Sequence, residues 1–90
     1  MLYMVVEYFK TPGAIEIYRR VKNQGRLMPE GLEYVSSWFD LNFTKCFQLM
    51  KTENEELFDQ WVIQWKDLIE FDVIPVQTST EAMQAIAPRL

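Results

Sequence analysis

Ninety residues make one domain, and 49% hydrophobic content with 14% aromatic side chains places the chain among globular proteins, far from disordered ones. A net charge of −4, with nine basic residues scattered among thirteen acids, is a poor match for nucleic-acid phosphates or for an anionic membrane surface. One cysteine and no histidine exclude an intrachain disulfide framework and a tetrahedral zinc site, so no metal and no cofactor is expected.

Leu2–Phe9 reads as a first strand that is apolar on both alternating faces, broken only by Glu7. Thr11 is an N-cap with Pro12 at the first helical position, where the missing N–H costs nothing. Ala14, Ile17, Tyr18 and Val21 then make one apolar stripe opposite Glu16, Arg19, Arg20 and Lys22, and Gly25 is the stop. Residues 26–31 connect to two aromatic-rich strands, Leu32–Phe39 and Phe43–Lys51, joined by a hairpin at Asp40-Leu41-Asn42. Thr52 to Glu55 spells a capping box, and Leu57, Phe58, Trp61, Val62, Trp65 and Leu68 continue the helix it opens. Ile69–Gln77 is a fourth strand, placed at a sheet edge by Pro75, which has no ladder donor to offer. Thr78 to Glu81 spells a second capping box, opening a short helix through about Ile86 that Pro88 ends.

The order β-α-β-β-α-β plus a short C-terminal helix is an α+β, ferredoxin-like pattern. Right-handed crossovers give an antiparallel sheet ordered 4-1-3-2, with both long helices on one face. A two-residue turn at Leu41-Asn42 pairs Asp40 with Phe43, and setting Glu7 opposite Lys45 adds a cross-strand charge pair of roughly 0.2–1 kcal/mol. That register puts Tyr3, Val5, Glu7, Tyr34, Ser36, Trp38, Lys45, Phe47 and Leu49 on the uncovered face, and Leu2, Met4, Val6, Cys46 and Met50 under the helices. A three-residue turn would reverse the second strand. The uncovered face is larger and more apolar than a monomer tolerates in water, which calls for a homodimer.

Met4 to Phe9, Gly25-Arg26 with Pro29-Glu30-Gly31-Leu32, Tyr34-Val35 with Ser37-Trp38, Cys46 to Met50 and Trp65 to Val76 together resemble a family of small bacterial proteins known only as a domain of unknown function. That family is grouped with dimeric α/β barrels, so the resemblance implies that fold and a dimer, and it transfers no catalytic residue. The wider group includes cofactor-free monooxygenases, lactone isomerases, haem-binding members and ligand-sensing domains; those that depend on a histidine are not models for this chain.

Glu7 is the sharpest position. A carboxylate on an otherwise apolar central strand has its pKa raised by desolvation, making it a weak candidate for general acid–base catalysis. Equally, Lys45, Tyr34 or a partner chain can neutralise it as a structural pair. The ligand-binding set on the uncovered face is Tyr3, Glu7, Tyr34, Ser36, Trp38, Lys45 and Phe47, with the rings suited to a small apolar or aromatic molecule. Cys46 has no neighbouring base and reads as an inert buried thiol. Trp61 and Trp65, at helical spacing, read as packing. RNA-recognition domains share the topology, but the glycines of their second motif are absent, Leu49 replaces its second aromatic residue, and the charge is wrong. The expected protein is therefore a cytoplasmic homodimer, with no nucleic-acid or membrane partner, binding a small apolar molecule between two sheets. The alternatives are a structural or regulatory dimer without ligand, or a cofactor-free isomerase- or monooxygenase-like enzyme using Glu7.

Overall fold

The computed structural model describes residues 1–10 and 14–90, so the expected helix start at Thr11 and Pro12 lies outside the described residues. The elements run β1 (Leu2–Phe9), α1 (Ile15–Gln24), β2 (Glu33–Phe39), β3 (Lys45–Lys51), α2 (Leu57–Ile63), β4 (Ile69–Val76) and α3 (Ser79–Ile86), with a 3-10 turn over Ala87–Arg89. The four strands form one antiparallel sheet in the order β2-β3-β1-β4, which is the expected order with β1 and β3 central. Pro75 lies in β4, at the edge, opposite Tyr3. The fold is the small α+β, ferredoxin-like arrangement anticipated from the element order.

The core lies between the sheet and α1 and α2. Ile17 from α1, Phe58 and Trp61 from α2, and Trp65 just after it close over Tyr3, Val5, Met50 and Ile69. Gly25 ends α1 at φ +72, a left-handed conformation that glycine enters without steric cost, with its N–H on the Val21 carbonyl. Gly31 also has positive φ (+94), and a Cβ there would stand 3.0 Å from Leu57 Cδ1. The chain must cross close to α2 at this point.

Two of the expected local features differ. Thr52 makes no box with Glu55: its hydroxyl accepts from the Asn54 N–H at 3.1 Å, Asn54 Oδ1 takes the Glu56 N–H, and α2 begins only at Leu57. The tight Asx-type turn competes with the helix for the same donors. At its other end α2 stops at Ile63, not near Leu68, because Arg20 binds the Gln64 carbonyl at 2.8 Å and the Asp67 carboxylate with both arms. Trp65 and Leu68 still point inward from the turns that follow. The second box does form: Thr78 Oγ1 accepts from the Glu81 N–H, and the Glu81 carboxylate accepts from the Thr78 N–H. α3 buries none of its own residues and leaves Met83 and Ile86 exposed.

The register of β1 is the main correction. Glu7 lies opposite Cys46, not Lys45, and Tyr3 and Val5 lie opposite Met50 and Gln48. A shift by one residue moves every β1 side chain to the other face. Tyr3, Val5 and Glu7 are therefore under the helices, while Leu2, Met4, Val6 and Tyr8 take the open side. Burial decides it: the ring of Tyr3 meets Phe58 edge-on at 4.9 Å inside the core. Burying such a ring is worth more than an exposed cross-strand charge pair.

The β2–β3 hairpin keeps the expected parity by a different route. Asp40 pairs with Lys45 across a four-residue loop, and its carboxylate accepts the Thr44 N–H at 2.7 Å and the Lys45 N–H at 3.0 Å. Ser36 and Trp38 thus share the open face with Lys45, Phe47 and Leu49. A bulge at Val35 then turns Tyr34 over to the helix side, opposite Met50.

Candidate functional site

The register brings Glu7, Cys46 and Gln48 to the underside of the sheet, where they line a cavity of about 80 Å³ with Arg26, Ser37, Tyr18 and the indoles of Trp61 and Trp65. Glu7 is only 6% exposed. No buried polar atom among the described residues is both shut off from the surface and unpartnered, so the Glu7 oxygens look into this cavity. Burial raises its pKa to about 7, offset in part by the positive charge of Arg26. Cys46, directly opposite, is pushed up to about 12 by burial and by the charge of Glu7, and stays a thiol. It has no thiolate to offer as a nucleophile.

Arg26 is held by an unusual amount of structure for an exposed loop residue. Its backbone carbonyl accepts from the Trp61 Nε1–H at 3.1 Å and from the Trp65 Nε1–H at 3.0 Å. It stands between two residues with positive φ, Gly25 (+72) and Leu27 (+59), and the second costs roughly 1–3 kcal/mol for a side chain of that kind. The guanidinium lies 3.8 Å from the centre of the Tyr34 ring and donates to Gln48 Oε1 at 3.4 Å. Tyr34 is in turn fixed by a 2.7 Å hydrogen bond with Ser37 Oγ. The ion pairs among the described residues join Met1 to Glu53, Arg19 to Glu16 and Arg20 to Asp67, so Arg26 and Glu7 are each unpaired.

The sequence-predicted site residues are thus divided between two sides of the sheet. Glu7 lines the cavity, and Tyr34 orients Arg26 at its mouth. Tyr3 is in the core away from the cavity, its hydroxyl 3.4 Å from Glu55. Ser36, Trp38, Lys45 and Phe47 are on the open face, where Trp38 is 53% exposed and the Lys45 ammonium lies 6.0 Å from the Phe47 ring centre. The seven do not form one site. Arg26, Ser37 and Gln48 were missed. The one signal for Arg26 was the pair of indoles: two buried Trp N–H groups one helical turn apart need an acceptor, and a nearby loop carbonyl is the usual one.

Among the described residues no cluster of acids, cysteine or histidine could hold a metal ion, and no helix is long and apolar enough to cross a membrane. The profile of a domain of unknown function, DUF3303, matches residues 1–90. The chain belongs to the DUF3303 family. This DUF3303 chain is also similar in structure to protein Atu4242 of Agrobacterium tumefaciens, with a TM-score of 0.52 and 17% identity over 88% of this chain and 96% of that one. At that identity the likeness is one of fold alone. No protein of curated function matches the chain in sequence.

Proposed function

We propose that this DUF3303 chain is a homodimeric binding protein for a small molecule, which occupies the cavity beside Glu7 rather than a space between two sheets. The observation that carries this reading is an almost fully buried carboxylate facing a cavity, with an unpaired guanidinium at the mouth. Structural ion pairs are made to close; Glu7 and Arg26 both line the cavity without forming an ion pair with each other. The dimer is supported by the other side of the sheet. Trp38 and Ile74, both exposed, form with Leu2, Met4, Phe47 and Leu49 an apolar face on the side of the sheet away from the core. Four strands about 4.8 Å apart and about 25 Å long present roughly 500 Å² in projection. Stable interfaces bury about 800 Å² per partner, and the unburied α3, with Met83 and Ile86, supplies the further apolar surface.

A second reading, a dimer with no ligand, is favoured by the cavity's size. About 80 Å³ is well below the roughly 300 Å³ at which drug-sized ligands are held. An enzymatic version of the first reading would have Glu7 move a proton on the ligand. Native mass spectrometry of the purified protein tests both halves together. A dimer mass accompanied by a small bound molecule is expected; a monomer at high concentration contradicts the dimer, and a dimer with no adduct that takes up no added small molecule supports the second reading.

A further inference from the structure

Resting on that pocket reading, we infer that the ligand is a small carboxylate, gripped by the Arg26 guanidinium and taken up together with a proton on Glu7. The two charges at the cavity differ in what they can become. A guanidinium is a fixed positive charge, and Arg26 brings one to the mouth. Glu7, buried and with no hydrogen-bond partner among the described residues, can become a neutral donor. A cationic ligand would have to pass and then sit beside Arg26. An anion meets a planar, bidentate donor there, already oriented by Tyr34 and Gln48.

Two carboxylates in one poorly hydrated site cannot both be ionised; they share a proton. The other groups around Glu7 leave that outcome open to it. Cys46 on β3 remains a neutral thiol, Tyr18 comes from α1, the α2 side presents only the indoles, and β4 presents Ile69 and Phe71. Among the described residues lining the cavity, no second acid competes for the proton and no second base takes it. Ser37 adds a hydroxyl at the β2 edge of the cavity. A volume of about 80 Å³ admits only a few heavy atoms, and acetate is of that size.

Acetate and its neutral isostere acetamide are therefore the probes, read out by the indole ¹H–¹⁵N resonances of Trp61 and Trp65, both tied to the Arg26 carbonyl. Chloride balances ionic strength. Acetate should bind about tenfold more weakly at pH 8 than at pH 6, following the fraction of Glu7 that carries a proton, and acetamide should show no such dependence. Glu7→Gln should flatten the acetate profile while keeping binding, because the amide still donates. Arg26→Gln should weaken acetate at least tenfold; the indole bonds go to the backbone, so the loop keeps its anchor. Acetate binding that is flat with pH in the unaltered protein, or unchanged in Arg26→Gln, overturns the inference. If acetamide shifts the indole signals and acetate does not, the pocket stands and the carboxylate assignment fails. If neither probe shifts them, the pocket reading fails and this inference with it.

Discussion

Replacing Glu7 with glutamine should change how stability depends on pH, and the size of the change follows from its burial. The carboxyl pKa is raised from 4.5 to about 7 in the folded chain. Each unit is worth about 1.36 kcal/mol, so ionising the buried group costs the fold about 3 kcal/mol in all. The direction is fixed by linkage. A group whose folded pKa lies above its unfolded one supports the fold fully below about pH 4.5 and loses that support as pH rises to about 7. The unfolded chain gives up the proton first, so rising pH favours unfolding through this window. Glu7→Gln cannot ionise and lacks the dependence. Urea unfolding of both proteins at pH 5 and pH 8, at one fixed protein concentration, should show Glu7→Gln gaining about 2–3 kcal/mol on the unaltered protein across that interval. The other carboxylates are common to both and cancel. Two profiles that run parallel would refute the burial of Glu7 under the helices.

Three further outcomes follow from the same geometry. Tyr3→Ala removes a ring packed in the core against Phe58 and should cost the fold about 3–5 kcal/mol in thermal or urea unfolding; a variant of normal stability that only dissociates would instead place Tyr3 on the open face. Trp38→Ala, on that face, should leave the monomer folded and weaken self-association by about 2 kcal/mol or more, read by sedimentation equilibrium at micromolar concentration. Thr78→Ala removes the capping box of α3 and about 1 kcal/mol of local helix stability. Because α3 buries nothing in its own chain, the loss should appear as faster amide exchange in residues 79–86 of a monomeric background, with the unfolding midpoint of the body unchanged.

The order of elements, the order of strands and the edge position of Pro75 were all legible in the sequence, because each rests on a local signal or on crossover handedness. The register of β1 was not. A strand with Leu2, Tyr3, Met4, Val5 and Val6 in succession has no polar face, so alternation cannot say which set of side chains goes inward. The only charged residue of β1, Glu7, invites a charge pair with Lys45, and that weak preference points to the wrong parity. What decided the parity was the fit of Tyr3 against Phe58, a tertiary contact with no trace in β1 itself. The bulge at Val35 that turns Tyr34 over left no glycine to mark it. The candidate site follows the register: Glu7 stands out by its residue type alone, whereas Ser36, Trp38, Lys45 and Phe47 lie on the opposite face of the sheet from it. Arg26 lies in a loop whose shape depends on two indoles from α2 and the turn after it, and loop geometry of that kind is set by distant residues.

Where Glu7 sits and what surrounds it decide the register and the cavity together. Carbon-13 labelling of the glutamate carboxyls, followed by NMR titration of the native protein from pH 3 to pH 9, reads its ionisation without a ligand or a mutation. The Glu7 carboxyl should titrate near pH 7, well above the ordinary glutamate value of 4.5. A midpoint at the ordinary value near 4.5 would mean that the carboxylate is in water and does not line a cavity beneath the sheet.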